Sequence, residues 1–298
     1  MARWTLFPEI LMLTFLLAGG AAGAVPVDRN VTVNGLDIHY LDWGCAAKPP
    51  LILLHGIART AHTFDHLAPH FIANYHVIAI DMRGHGDSAW DPAGGYVVED
   101  YVKDIAALIA QLKLRNIVLW GNSTGGRVAQ MIAGLHPDLV TAVVVEDVGP
   151  ERPREVSNRR ADRMSKEADG WATLDELYAQ AKKENPRAAE SVLKELVRHG
   201  SQRRPDGRIV WKRDPAILNG FVPTELWATV RLIEAPIVYI LGGASAIVPV
   251  ETQNEIKAAL PKAQIVTMPG LGHYPSDEQP ADFLAIVDRF LAGIPRRN

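Results

Sequence analysis

The segment between Ile117 and Leu135 constrains the fold more than any other part of the chain. Residues 117–120 form a short apolar run, and Gly121-Asn122-Ser123-Thr124-Gly125 follows at once. Apolar residues then recur at helical spacing, at Val128, Met131, Ile132 and Leu135. This order of patterns predicts a buried strand, a sharp turn and an amphipathic helix.

Ser123 lies at the tip of the predicted turn, where its hydroxyl would be exposed. Gly121 and Gly125, two residues to either side, remove the side chains that would collide where the strand meets the helix. The backbone N–H of Thr124 would lie where an oxyanion forms during attack on a carbonyl. The segment therefore favours a nucleophile turn over a plain glycine-rich connection.

Apolar runs of strand length recur along the chain and alternate with helical patterns. They cover residues 51–54, 77–80, 140–145 and 237–241, and residues 264–268 are interpreted as one further strand. Such runs suit strands that are buried on both faces, and their alternation with helices predicts an α/β fold with a mostly parallel sheet. Asn34-Gly35, within residues 31–40, predicts a β-hairpin before that sheet. A further amphipathic helix is expected over residues 62–71.

The buried-strand pattern is interrupted in the second half of the chain. Residues 151–232 are rich in charge and carry helical patterns around 171–183 and 186–199, with no buried-strand pattern. We interpret them as a helical lid inserted between two parts of one core, residues 25–150 and 233–298. Large lid side chains would set substrate choice; they are Trp171, Leu174, Tyr178, Trp211, Phe221 and Trp227.

Residues 1–24 differ in composition from the rest of the chain. Arg3 precedes an apolar stretch over residues 10–18, and Ala22-Gly23-Ala24 supplies the small residues that a signal peptidase needs. We predict a signal peptide cleaved after Ala24 and a periplasmic or secreted protein without stable membrane insertion. An uncleaved anchor and a mistaken start codon are the alternatives.

Composition narrows the classes of partner. The 298 residues are 48% hydrophobic, so a large core is expected. Their formal net charge of −3 gives no reason to expect nucleic acid as a partner. The one cysteine, Cys45, cannot form an internal disulfide. A small-molecule substrate is the expected partner, and the sequence does not indicate an oligomeric state.

Four motifs in this order resemble the α/β-hydrolase superfamily. They are His55-Gly56, residues 81–88 (DMRGHGDS), residues 121–126 (GNSTGG) and residues 269–275 (PGLGHYP). The resemblance covers essentially residues 30–295 and implies an eight-stranded, mostly parallel sheet flanked by helices. It also implies that His55, Asp81 and Arg83 have structural roles.

The resemblance assigns the chemistry as well. Ser123 would be the nucleophile, because a serine hydroxyl attacks a carbonyl usefully only when a base takes its proton, and His273 would be that base. The backbone N–H groups of Ile57 and Thr124 would form the oxyanion hole. No metal or organic cofactor is implied.

The acid that should orient His273 departs from the usual pattern. Most family members carry an aspartate after the strand that follows the lid, but here that position falls on Ser245 or Ala246. Some branches place the acid after the strand before the lid, which points to Asp147, with Glu146 as the alternative. Their side chains should lie on opposite faces, so only one can serve. A dyad helped by water, or a degenerate site, remains a further alternative.

These residues predict an exported serine hydrolase that cleaves a small carboxylic ester or lactone through an acyl-enzyme intermediate. A carbon–carbon bond hydrolase of the ring-cleavage type is the enzymatic alternative. The missing aspartate keeps a third hypothesis open, a non-catalytic ligand-binding protein on the same fold.

Overall fold

The computed structural model describes residues 25–151, 154–220 and 224–295. The predicted signal peptide, residues 1–24, lies outside the described residues. Within those ranges, no helix combines the length and the apolar character needed to cross a bilayer.

Ten strands and ten α-helices make up the described chain. The strands are β1 Val27–Val33, β2 Leu36–Trp43, β3 Pro50–Leu54, β4 His76–Ile80, β5 Ile117–Asn122, β6 Val140–Glu146, β7 Ser201–Arg203, β8 Ile209–Trp211, β9 Ile237–Gly242 and β10 Gln264–Met268. The helices are α1 Ala68–Phe71, α2 Val98–Gln111, α3 Thr124–Leu135, α4 Arg154–Lys166, α5 Leu174–Glu184, α6 Glu190–Gly200, α7 Trp227–Val230, α8 Val250–Ala259, α9 Pro275–Glu278 and α10 Pro280–Ala292. Two 3₁₀ helices, Ala61–Phe64 and Pro215–Gly220, complete the set.

Eight of the strands form one sheet in the order β1-β2-β4-β3-β5-β6-β9-β10. β1 and β2 form the antiparallel hairpin predicted at Asn34-Gly35, and β2 pairs antiparallel with β4. The remaining neighbours are parallel. The predicted fold class, an eight-stranded and mostly parallel α/β sheet, is confirmed.

Helices cover both faces of the sheet, which explains why the central strands are apolar throughout. Along β5, Ile117 and Leu119 pack into a core cluster with α2 and α3, whereas Val118 and Trp120 pack into a second cluster with α1 and α10. Successive strand side chains point to opposite faces, so each strand contributes to both clusters.

The amphipathic helix predicted over residues 62–71 is wrong in its extent. The structure has the 3₁₀ helix Ala61–Phe64 and the single-turn helix α1 instead. Pro69 lies in the first turn of α1. Because proline lacks a backbone N–H and crowds the preceding turn, it starts a new helix and does not continue the earlier one.

The residues between β6 and β9, numbers 147–236, form an insert between two neighbouring strands of the sheet. The insert has a small core of its own around Leu177, Leu193 and Ile209. It also contains the β7–β8 hairpin, which the sequence did not predict because three-residue strands are too short to show a period. Its description as a lid over the site stays a prediction.

Asp81 and Arg83 have the structural roles expected of them. The Asp81 carboxylate accepts hydrogen bonds from the backbone N–H groups of Ala61 (2.6 Å) and Asp87 (3.0 Å). Arg83 donates to both carboxylate oxygens of Asp104 on α2, at 2.5 and 2.7 Å. Together they tie the turns after β4 to the adjoining loops and to α2.

Replacing Arg83 with alanine should lower the free energy of unfolding by a few kcal/mol, because the buried Asp104 carboxylate keeps the Asn34 amide but loses its cationic partner. Chemical denaturation of the purified protein measures this change. Arg115→Ala, at an exposed position, is the control and should shift stability by roughly 0.5 kcal/mol or less. Equal midpoints for the two variants would show that the Arg83–Asp104 pair contributes nothing.

Candidate active site

Ser123 occupies a sharp turn between β5 and α3. Its backbone has φ 51° and ψ −118°, a conformation that non-glycine residues rarely adopt. A Cβ added at Gly121 would lie 2.2 Å from the carbonyl carbon of Gly125. A Cβ added at Gly125 would lie 2.1 Å from the carbonyl oxygen of Leu54. The turn is therefore closed so tightly that only glycine fits at both positions, as the sequence predicted.

The loop after β3 packs directly against this turn. A Cβ at Gly56 would lie only 3.1 Å from the Cβ of Ser123. His55 is fully buried: its Nδ1 contacts the Gly56 carbonyl at 2.7 Å and its Nε2 accepts the backbone N–H of Met82 at 3.0 Å. Burial lowers the pKa of His55, so the ring stays neutral. His55 braces the loop, as expected.

The two residues predicted to supply oxyanion donors flank Ser123. Thr124 is the first residue of α3, whose N-terminal end carries the positive end of the helix dipole. Ile57 follows Gly56, which is in close contact with Ser123. Their place beside the serine is compatible with the predicted oxyanion hole.

His273 lies in the loop between β10 and α9, and its neighbours fix that loop. The backbone N–H of Gly272 donates to the Glu278 carboxylate at 2.9 and 3.0 Å. On the other side, Asn122 Nδ2, directly before Ser123 in the chain, lies 3.5 Å from the His273 carbonyl oxygen. The histidine loop is thus held against the serine turn.

Asp147 reaches the imidazole from the end of β6. Its Oδ2 lies 2.7 Å from His273 Nδ1 and accepts the Ser245 hydroxyl at 2.6 Å, while its Oδ1 accepts the backbone N–H of Gly242 at 2.9 Å. The side chain is 1% exposed. The structure therefore brings together the serine turn, the histidine and the aspartate that the sequence singled out.

Glu146 points to the opposite face of the sheet. Its Oε1 accepts the backbone N–H of Ser276 at 3.0 Å, and its Oε2 accepts the indole N–H of Trp120 at 3.3 Å. Complete burial raises the pKa of Glu146 to about 7, although the hydrogen bonds from Ser276 and Trp120 oppose that shift. Of the two acids left open by the sequence, Asp147 and not Glu146 contacts His273.

Sequence reasoning assigned no role to two contributors to the site, Ser245 and Gly242. Ser245, which with Ala246 marks the position where the family usually carries its acid, donates its hydroxyl to Asp147. Gly242 allows β9 to pack against the loop that carries His273, because a Cβ added at Gly242 would lie 1.8 Å from the carbonyl oxygen of Gly272. In the sequence, the signal for the role of Ser245 was a hydroxyl where the family usually has a carboxylate.

Arg127, on α3, was also missed. Its buried guanidinium donates to the Pro150 carbonyl at 2.8 Å and to the Thr224 carbonyl at 3.0 Å. The helix that follows the candidate nucleophile thus binds the insert at two points, Pro150 and Thr224.

The large side chains expected in the lid differ in environment. Trp171, Tyr178 and Trp211 pack against the insert's own core, and Trp227 packs against the main core. Leu174 is 48% exposed. Phe221 lies outside the described residues.

Comparison with known proteins agrees with this fold. The alpha/beta hydrolase family model matches residues 51–286. The chain is 29% identical over 271 residues to 3-hydroxybutyrate-oligomer hydrolase of Cupriavidus necator, covering 85% of this chain and 92% of that protein. It is 30% identical over 282 residues to an sn-1-specific diacylglycerol lipase of Mus musculus, covering 89% and 88%.

Solved structures agree as well. The crystal structure of E-2-(acetamidomethylene)succinate hydrolase superposes with a TM-score of 0.82 at 25% sequence identity, covering 90% of this chain and all of that one. The chain belongs to the α/β-hydrolase family, and it is an enzyme of that family.

The raised pKa of Glu146 should make stability depend on pH in a predictable direction. The unfolded chain releases this proton near pH 4.5 and the folded chain near 7, so stability falls as pH rises between these values. Relative to Glu146→Gln, the natural protein should lose up to about 3 kcal/mol over that interval, since one unit of pKa corresponds to about 1.4 kcal/mol.

Denaturation midpoints of both proteins between pH 4 and 8 measure this difference, and Glu251→Gln, at an exposed position, is the control. A stability gap between the natural protein and Glu146→Gln that does not change with pH would contradict the assignment.

Proposed function

We propose that this protein is a serine hydrolase that cleaves a small carboxylic ester or lactone through an acyl-enzyme intermediate. The observation that carries the proposal is the 2.7 Å contact between Asp147 Oδ2 and His273 Nδ1, beside a serine held in a strained turn. An acid, an imidazole and a hydroxyl in this order define the chemistry of acyl transfer.

The proton is moved by His273. Asp147 holds the N–H tautomer at Nδ1, so the lone pair of Nε2 points away from the acid and can accept the Ser123 proton during attack. The Ser123 oxygen bonds to the substrate carbonyl carbon, and the N–H groups of Ile57 and Thr124 stabilise the resulting oxyanion.

The remaining steps return the enzyme to its starting state. His273 gives its proton to the leaving alcohol as the carbon–oxygen bond breaks, which leaves the acyl group on Ser123. It then takes a proton from water, and the hydroxide formed attacks the acyl carbon. Finally His273 returns that proton to Ser123 as the carboxylic acid leaves.

Ester cleavage is favoured over the carbon–carbon bond alternative by two observations. The relatives named above are called a 3-hydroxybutyrate-oligomer hydrolase and a diacylglycerol lipase, and both substrates are joined by carboxylic ester bonds. Ring-cleavage hydrolases generally keep the acid after the later strand, where this chain has Ser245 and Ala246 and no carboxylate. A nucleophilic serine also argues against dehalogenation through an alkyl-enzyme ester.

The proposal includes export, and residues 1–24 are its only support. The apolar stretch and the small residues before Val25 have the composition of a cleaved signal peptide. The substrate would then be met outside the cytoplasm.

A fluorophosphonate probe should label the protein covalently at Ser123, because such probes react with activated serines. Labelling should disappear in Ser123→Ala, and in-gel fluorescence after electrophoresis measures it. Ser88→Ala, which changes a buried serine outside the site, is the control and should keep the label. A folded natural protein that stays unlabelled would favour the non-catalytic binding alternative.

Asp147→Asn should lower kcat/KM for a simple aryl ester by about 10²- to 10⁴-fold, because the amide no longer holds the correct histidine tautomer. Glu146→Gln is the matched control, one residue away and on the other face, and should keep most of the activity. Initial rates of p-nitrophenyl ester hydrolysis compare the two. Full activity in both variants would show that the displaced-acid hypothesis is wrong.

A further inference from the structure

A cluster of metal-ligand side chains lies where the insert meets the core, apart from the site described above. His62 and Asp65 come from the 3₁₀ helix Ala61–Phe64 and the residue after it, and His199 comes from α6 of the insert. One ligand atom from each of these three residues lies within 4.8 Å of the other two.

Local helix geometry produces this convergence. A 3₁₀ helix has three residues per turn, so His62 and Asp65 share one face, and His62 Nδ1 contacts Asp65 Oδ2 at 2.8 Å. On α6, Glu195 and His199 are four residues apart and also share a face, with His199 Nε2 and Glu195 Oε2 at 3.2 Å. Two histidine–carboxylate pairs, one beside the 3₁₀ helix and one on α6, therefore face each other where the insert meets the core.

The two imidazoles stack, with ring centroids 3.7 Å apart and an angle of 21° between the planes. A neutral imidazole offers a nitrogen lone pair, which is the form that binds metal ions.

The cluster also has an unsatisfied acceptor and borders a cavity. Asp65 Oδ1 is buried and has no hydrogen-bond partner among the residues that the structure describes. A cavity of about 210 Å³ adjoins the cluster; His62, Asp65 and Glu195 line it and His199 does not. Since a buried carboxylate oxygen without a partner is destabilising, this oxygen is suited to a cation.

The other charged groups at the cavity are already engaged. The Arg59 guanidinium lies 2.9 Å from Asp277 Oδ2 and stacks over the Tyr274 ring. His66 Nε2 contacts the Ser276 carbonyl at 3.3 Å. Their charged groups are thus paired away from the ligand atoms of His62, Asp65 and His199.

We propose that His62, Asp65 and His199 bind a divalent transition-metal ion such as Zn²⁺, which links the insert to the core. Zn²⁺ prefers imidazole nitrogen and carboxylate oxygen at about 2.0–2.2 Å in a tetrahedral arrangement, and Glu195 or water would complete the set. Imidazole ligands select against Mg²⁺ and Ca²⁺, which prefer oxygen donors.

The site is separate from ester cleavage. The ion would add a cross-link between α6 and the 3₁₀ helix, which lies shortly after the loop that carries Ile57. Its expected effect is therefore to hold the insert against the core, and no step of hydrolysis passes through it.

Calorimetric titration of the tag-free full chain with ZnCl₂ tests the proposal. We expect saturable binding of one ion per chain, no binding of MgCl₂, and affinity at least tenfold weaker in His62→Ala and in His199→Ala. His70→Ala is the matched control, because His70 pairs with Asp288 in an exposed histidine–carboxylate contact outside the cluster. It should bind Zn²⁺ as the natural protein does.

Two further variants are titrated in the same way. Asp65→Asn keeps the side-chain volume and should also weaken binding, so a folding defect in one histidine variant does not decide the outcome. Ser123→Ala should bind Zn²⁺ normally, which separates this proposal from the proposed hydrolysis. Absence of saturable binding, or equal affinity in the cluster variants and His70→Ala, would overturn the site.

Limited proteolysis tests the link between insert and core. Zn²⁺ should slow cleavage within residues 147–236 in the natural protein and leave the rate unchanged in His199→Ala. Equal cleavage rates with and without Zn²⁺ in the natural protein would overturn the cross-link.

Discussion

The carboxylate of Asp147 joins three parts of the chain that meet at one edge of the sheet. It accepts hydrogen bonds from Gly242 at the end of β9 and from Ser245 in the loop that follows, and it contacts His273 beyond β10. Because these donors come from separate segments, the carboxylate fixes their relative positions as well as the imidazole ring. Removing it would leave the imidazole ring and the Ser245 hydroxyl without this acceptor at the same time.

Sheet register explains how an acid on β6 can serve a histidine that follows β10. Asn122 pairs with Glu146 and Glu146 pairs with Ile240, so Ser123 and Asp147 emerge at the same level on adjacent strands. Neighbouring strands are about 4.8 Å apart, a distance that one side chain can span. An acid moved by one strand therefore still reaches the ring, provided that the vacated position holds a small residue. Ser245 meets that condition and adds a hydrogen bond.

The sheet and the serine turn could be predicted from the sequence because each leaves a local pattern: apolar runs for the strands, and glycines at fixed offsets for the turn. The choice between Asp147 and Glu146 could not be made locally. Adjacent strand positions face opposite sides, and nothing in the sequence says which side His273 occupies. The His62–Asp65–His199 cluster was equally inaccessible, since its members are 137 residues apart at most in the chain and meet only through packing of the insert.

Strain at the site follows from the same arrangement. Ser123 and Asp147 both have positive φ, 51° and 46°, although neither is glycine, and such conformations cost roughly 1–3 kcal/mol each. Backbone hydrogen bonds from Ser123 to the Glu146 carbonyl (3.0 Å) and from Asp147 to the Ile240 carbonyl (2.9 Å) hold both residues in place. Glycine would relieve the strain at either position but would remove the hydroxyl or the carboxylate. The strained backbone therefore coincides with the two residues whose hydroxyl and carboxylate the proposed chemistry needs.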